Sequence, residues 1–441
     1  MTASANRRIL LATLVVASCT FVVKLAAAGK DLALAGVFGV SASLDTFLLA
    51  YLFPSVCVNI LAGSLQAAFV PKYVVARSAQ GEDAAATFAA STASLLLLAL
   101  VALTVIVVPV VAFAMPLLAH ALPPDRIADA RWMAMAMTPI IVLNGLMYFW
   151  SGYLNAHNRF AVPAITPICT PACITVAALL FANRYGVTAL VFGTLVGGAI
   201  ELSIVLTGTR AVMQRLPFTR PRFTEMHRAM STQFATAAIG NVVMAATTIV
   251  DQSFAASLGE GAVSTLSFGT KLSQVAAGIF TMAIATAVLP TAARLVADRD
   301  WSGLRHTLRS YTAIVFAVTV PMTAVLVFLS QDIIALVLER GAFGRSDTTA
   351  VAFVQSLSAL QIPFFAWSIL IVRVLAAISA NEVLLVGAVI SLVLDVVLNF
   401  SLVPVLGVAG TGLATSLMYA CACVFLFWSL RRRLRRLEAD A

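Results

Sequence analysis

Charge is scarce in this chain. Only 28 lysines and arginines and 19 aspartates and glutamates occur among 441 residues, 11% in all, whereas 61% are hydrophobic. Soluble domains carry about 25% charged residues, so no polar stretch remains that could cover a sizeable water-soluble domain. Histidine is nearly absent as well, four scattered residues, and no nucleophile elbow, P-loop or HExxH pattern occurs. The expectation is therefore a protein that is not an enzyme. The six cysteines lie in or beside apolar runs, and Cys169 and Cys173, although four residues apart, have no histidine near them; they read as packing residues rather than metal ligands.

What is abundant is the apolar run of about 20 residues, the length needed to cross a ~30 Å hydrocarbon core. Twelve are expected, at 8–29, 38–64, 84–118, 130–154, 161–183, 187–209, 231–258, 263–290, 307–330, 349–379, 383–403 and 407–430. The fold class is an all-α polytopic membrane protein. The first run follows Arg7 and Arg8 but continues through Lys24 without a small-residue cleavage site, so it reads as a retained helix rather than a signal peptide.

The net charge of +9 is distributed unevenly. Nineteen of the basic residues fall on the side of the N-terminus, six on the opposite side, and Lys24, Lys271 and Arg373 lie within spans. By the positive-inside rule both termini are cytoplasmic, as an even number of spans requires. The basic tail at 431–441 then anchors topology near anionic headgroups, and nucleic acid is not an expected partner.

Two local matches suggest duplication. AAFVPKYVVA at 67–76 resembles TAVLPTAARLVA at 286–297, placing Pro71 and Pro290 219 residues apart, and YGVTALVFGTL at 185–195 resembles LGVAGTGLATSL at 406–417, placing Thr194 and Thr415 221 apart. Six spans per half give a parallel repeat about an axis along the membrane normal. The expected organisation is an N-lobe over 1–209, a basic linker over 210–230 containing Arg215, Pro217 and Pro221, a C-lobe over 231–430 and the tail. Two such lobes suit a carrier better than a channel.

Ionisable groups inside spans cost several kcal/mol to insert and usually face a bundle interior or a wet cavity. Lys24, Lys30, Lys271 and Arg373, if they converge on a cleft, make a pocket for an anion such as a phosphate or pyrophosphate. Asp31 sits beside Lys30. Asp45, in VFGVSASLDTFLLAYLFP, pairs with a lysine of the empty pocket in this reading; the alternatives are that Lys24 and Lys30 snorkel to the interfaces and that Asp45 caps a helix. A second group, Asp251, Asp395, Asn399, Thr411 and Thr415, offers only hard oxygen donors, with Asp395 and Asn399, and Thr411 and Thr415, each at i and i+4. Such donors suit Na⁺ or a proton; the alternative is polar glue between helices. Glu201 has no partner evident in the sequence.

At these residues the chain resembles the MurJ/MviN family, the lipid II flippases of the multidrug/oligosaccharidyl-lipid/polysaccharide exporter superfamily. The carriers are KDLALAGVFGVSASLDTFLLAYLFP, SLQAAFVPKY, GYLNAHNRFAVPAITP, SLGEGAVSTLSFGTKL, VLERGAF and LNFSLVPVLGVAGTGLAT, in this order. The resemblance implies a V-shaped two-lobe carrier moving a polyprenyl-pyrophosphate-linked glycan, lipid II first, from the inner to the outer leaflet of the bacterial inner membrane by alternating access. It implies that Lys24, Lys30 and Lys271 stand where the family has cavity arginines, and that Asp251, Asp395, Asn399, Thr411 and Thr415 fall on its proposed cation site. PSVCVNIL at 54–61 lacks the arginine pair some members carry, and members typically have fourteen spans, of which this sequence shows twelve. Na⁺ or H⁺ is the expected coupling ion, with no other cofactor; membrane lipids and glycan-synthesis enzymes are the expected partners of a monomer. The competing readings are a flippase for another lipid-linked oligosaccharide, for exopolysaccharide, capsule or O-antigen, and a multidrug/cation antiporter.

Overall fold

The computed structural model describes residues 3–213, 219–378 and 380–439, the side chains of 3–14, 282, 283, 285–287, 289, 290, 381 and 439 excepted. Arg215 and Pro217 lie outside the described residues, as do the side chains of Arg7, Arg8 and Pro290. Among the described residues there is no strand. The helices run in order as α1 (Ala3–Phe38), α2 (Ala42–Gln80), α3 (Glu82–Leu118), α4 (Pro124–Met137), α5 (Pro139–Ala156), α6 (Ala161–Ile165), α7 (Cys169–Tyr185), α8 (Thr188–Met213), α9 (Glu225–Ala256), α10 (Ala262–Ala297), α11 (Trp301–Phe328), α12 (Ser330–Leu338), α13 (Arg345–Ala359), α14 (Gln361–Ala377), α15 (Asn381–Leu406) and α16 (Val408–Ala439). Ten helical segments among the described residues are long and apolar enough to cross a membrane. With α1 and α10, which carry the expected first and eighth spans, the expected twelve are accounted for.

Three of those spans are interrupted where proline or a tight turn breaks the backbone ladder. Thr138 separates α4 from α5, which opens on Pro139, and Leu360 separates α13 from α14. A 3₁₀ turn at Thr166–Ile168 separates α6 from α7, within a stretch holding Pro163, Pro167 and Pro171.

The chain divides into two compact units, Met1–Ala245 and Ala246–Ala441, with the division inside α9. In the first unit α8 packs on α7 and α5, and α2 packs on α5 and α4. Close approach of α8 depends on its Gly193-xxx-Gly197 pair and Gly198: a Cβ at Gly197 would lie 2.5 Å from the Cα of Thr170, and one at Gly198 2.3 Å from the Cδ1 of Ile140. Small residues of this kind let helix backbones approach where lipid supplies no hydrophobic drive. One end of the unit is filled by Phe69, Tyr73, Phe88, Phe149, Trp150 and Tyr153, with Tyr73 Oη 2.7 Å from His157 Nε2. Burial pushes the pKa of His157 down, helped by the Arg77 charge. Two amides bind α9 to α2 here: Gln233 Nε2 donates to the Ala67 carbonyl (2.9 Å) and Asn241 Nδ2 to Ser64 Oγ (3.0 Å).

In the second unit α16 packs on α15, α14 and α13, while α10 packs on α13 and α14. Its core includes Leu304, Leu370, Ile371, Leu375, Leu426 and Leu430. The duplication expected from sequence has a conformational counterpart. Gly186, which ends α7, has φ 56° and ψ −143°, and Gly407, which ends α15, has φ 58° and ψ −141°. Residues with a side chain rarely adopt this backbone, so the matching YGVTAL and LGVAGT segments perform the same turn before α8 and α16.

Candidate functional site

The basic residues expected to bind an anion are distributed over both units. Lys24 lies on the surface of α1. Lys30 and Asp31, a turn and a half further on, form an ion pair at 3.0 Å with 22% and 19% of their side chains exposed. Lys271 on α10 and Arg373 on α14 are half-buried, and Arg373 Nε is buried without a hydrogen-bond partner among the described residues. A guanidinium N–H held away from water without an acceptor is a strong donor in waiting.

Asp45 is fully buried in the first turn of α2. The capping role falls to Ser41, whose Oγ accepts from Leu44 N at 3.3 Å, and Asp45 sits one turn inside. Its carboxylate lies in the positive field of that helix terminus. The reading of Asp45 as the cap therefore does not hold.

The oxygen-donor residues are gathered within the second unit. Asp251 projects from α9, Asp395 and Asn399 from α15, and Thr411 and Thr415 from α16. Asn399 Nδ2 donates to Asp251 Oδ1 (3.1 Å), to the Asp395 carbonyl (2.9 Å) and to Asp395 Oδ1 (3.3 Å), while Thr415 Oγ1 lies 3.3 Å from Asp251 Oδ2. Asp395, Asn399 and Thr411 are fully buried, yet Asp395 Oδ2, Asn399 Oδ1 and Thr411 Oγ1 have no hydrogen-bond partner among the described residues. Buried acceptors are normally satisfied. Three orphaned oxygens, one of them on a carboxylate, fit a hard monovalent cation or a proton; polar glue accounts for the Asn399 and Thr415 bonds that join α9 to α15 and α16 but not for these orphans. The donors are carboxylate, amide and hydroxyl groups without sulfur or imidazole, a set that does not suit a soft transition metal.

Tyr419, within electrostatic reach of both Asp251 and Asp395, belongs to the same environment. It lies on α16 four residues beyond Thr415, and that spacing was its sequence signal. Glu201, whose partner the sequence did not reveal, is 3% exposed on α8, and its Oε1 accepts from Thr170 N at 2.9 Å.

The family model described as lipid II flippase MurJ matches residues 34–441. Among curated proteins, a probable lipid II flippase MurJ of Rhizobium tropici is 27% identical over 92% of this chain and 77% of its own length. The lipid II flippase MurJ of Burkholderia cenocepacia is 26% identical over 96% of this chain and 84% of its own. Among solved structures, lipid II flippase MurJ in an inward closed conformation superposes with a TM-score of 0.81 at 23% identity, covering 97% of this chain and 90% of that one. An inward-facing multidrug resistance MATE family transporter of the MOP superfamily follows with 0.75 at 14% identity, covering 97% and 99%. The two structures establish a shared fold, and the family match separates this chain from the multidrug transporters that have it. The protein is a multi-pass protein of the bacterial inner membrane, in a family of lipid transporters. By the match across residues 34–441, the chain belongs to the lipid II flippase MurJ family.

Proposed function

We propose that this protein moves lipid II from the cytoplasmic to the outer leaflet by exposing one set of binding groups alternately to the two sides of the membrane. The observation that carries this reading is the family match over nearly the whole chain. Both termini are cytoplasmic in this reading, because nineteen basic residues flank the spans on that side and six on the other. The protein acts as a monomer, and glycan-synthesis enzymes hand over and receive the substrate.

Binding falls to Lys24, Lys30 and Asp31 in the first unit and to Lys271 and Arg373 in the second. Ammonium groups donate to phosphate oxygens as point charges, whereas Arg373 presents a planar fork. Asp45 balances this positive field when no phosphate is bound and withdraws from it when substrate arrives. The Lys30–Asp31 pair, partly exposed, opens at small cost because exposed pairs are worth little. Negative substrate charge moves outward with an inside-negative potential, favoured by about 2.3 kcal/mol per charge per 100 mV.

Asp251, Asp395, Asn399, Thr411 and Thr415 hold the coupling ion, Na⁺ or H⁺, which supplies the positive charge that offsets the two carboxylates. Asn399 bridges the carboxylates across α9 and α15, so their charge state is felt by both helices at once. No covalent step is required of any residue.

The test is complementation. In a Gram-negative host depleted of its lipid II flippase, this protein restores viability and outer-leaflet lipid II, and the Asp45→Ala variant, present in the membrane at the same level, does not. A well-expressed wild-type protein that fails to rescue would move the assignment to another polyprenyl-linked glycan.

A further inference from the structure

Glu201 occupies the middle of α8, 13 residues after Thr188 and 12 before Met213, where an uncompensated carboxylate is expensive. Its Oε1 accepts from Thr170 N, an amide at the start of α7, and the Thr170 hydroxyl lies beside the same carboxylate. That amide is free to bond because the 3₁₀ turn before it interrupts the helix. Neutral donors from one residue do not offset a full negative charge, and no ion pair to Glu201 occurs among the described residues. Among the described residues, Tyr51 of α2, Tyr148 of α5, and Cys169 and Cys173 of α7 feel its charge. None of these carries positive charge in any protonation state.

Two further oxygens lie along the same face. Gly198 and Gly197 precede Glu201 by three and four residues, so they share its side of α8. A Cβ built at Gly198 would be 3.3 Å from Asn144 Oδ1, and one at Gly197 would be 3.0 Å from Thr170 Oγ1. Asn144 is 8% exposed, its Oδ1 is buried without a hydrogen-bond partner among the described residues, and Thr170 Oγ1 is buried beside the Glu201 carboxylate. A carboxylate, an amide oxygen and a hydroxyl, from α8, α5 and α7, thus lie along one face of α8, beside the break between α6 and α7. Discontinuous membrane helices are where ion sites are built in carriers.

We propose that Glu201, Asn144 and Thr170 form a binding site for a small monovalent cation, Na⁺ or H⁺, within the first unit and separate from the Asp251–Asp395 cluster. The donor chemistry repeats that of the second unit, with carboxylate, amide oxygen and threonine hydroxyl, although the residues sit at unrelated sequence positions. The structural alternative is that Glu201 only caps α7.

The two are separable because glutamine preserves the cap: its Oε1 still accepts from Thr170 N, while the charge is gone. Full-length protein purified in detergent, with Asp251→Asn and Asp395→Asn removing the other carboxylates, is assayed for ²²Na⁺ binding and, separately, for proton release on raising the pH. Retained Na⁺ binding that is lost in Glu201→Gln establishes a Na⁺ site. In that case Thr170→Val, which keeps the backbone amide, weakens binding by about tenfold, the effect of losing ~1.4 kcal/mol. Proton release of one equivalent, lost in Glu201→Gln with no Na⁺ binding, establishes a proton site. If Glu201→Gln alters neither readout while Glu201→Ala lowers the unfolding temperature, the residue is a cap and the proposal is wrong. Neither assay involves lipid transport, so the result stands independently of the substrate.

Discussion

Lys30 keeps about a fifth of its side chain exposed, and its partner Asp31 is the next residue in the chain. Asp395 is fully enclosed, and the amide it shares with Asp251 joins helices 148 residues apart in sequence, through Asn399. The difference teaches what each set can receive. A pyrophosphate with a saccharide attached is large, so its binding groups must be reachable and their resting pairs easily exchanged. A small ion needs a closed shell of oxygens, and the buried groups there are held by neighbouring helices in advance of binding.

The first way to break the comparison is to remove charge from the open set. If Lys24 and Lys271 bind phosphate as proposed, replacing either by alanine deletes one charge-assisted hydrogen bond worth about 1.5–3 kcal/mol, and substrate binding falls by about ten- to a hundredfold per residue. Lys24→Arg retains the charge and transport. Flux in proteoliposomes at matched protein levels checks this, and a wild-type rate in either alanine variant removes that lysine from the proposed binding groups.

A smaller effect is expected at the closed set. Asp395→Asn keeps an oxygen to accept from Asn399 but removes the charge, so the protein folds with little change in unfolding temperature while its response to Na⁺ and pH is lost. Transport rates measured across Na⁺ concentrations and pH values decide this. An unchanged ion response would return the cluster to polar glue.

The duplicated turn sharpens the comparison between units. Alanine at Gly186 or Gly407 meets no atom within 4 Å, so the whole penalty is backbone strain, about 1–3 kcal/mol, and thermal unfolding of the two variants should show similar losses. Unequal losses would mean that the two turns are not equivalent.

The smallest effect is expected at His157. Its Nε2 lies 2.7 Å from Tyr73 Oη, and burial holds its pKa below the usual 6.5. The unfolded chain therefore binds the proton more readily, and this contribution to stability, present above pH ~6.5, is lost as pH falls. His157→Gln should flatten that part of the stability profile, measured by unfolding at pH 5 to 7.5.

Much of this architecture was legible because lipid imposes it. An apolar run of membrane length has few alternatives to a helix, and the i, i+4 pairs Asp395–Asn399 and Thr411–Thr415 place their side chains on common faces whatever the tertiary fold. The turn at Gly407 was visible only as part of a repeat, since glycine alone does not announce a positive φ. Other features required coordinates. The interruptions at Thr138 and Leu360 lie inside apolar stretches that read as single spans, and Ser41 rather than Asp45 caps α2 because capping depends on the last non-helical residue. The surroundings of Glu201 were hidden because Thr170 and Asn144 belong to other helices, with no periodicity to link them to it.

The most direct measurement of the central claim is flipping itself. Purified protein reconstituted into liposomes with labelled lipid II, and an enzyme outside that modifies only outward-facing molecules, should render the inner-leaflet pool accessible, with Lys24→Ala and Asp45→Ala variants incorporated equally but slow. If correctly folded wild-type protein leaves that pool protected under both Na⁺ and proton gradients, lipid II is not its cargo.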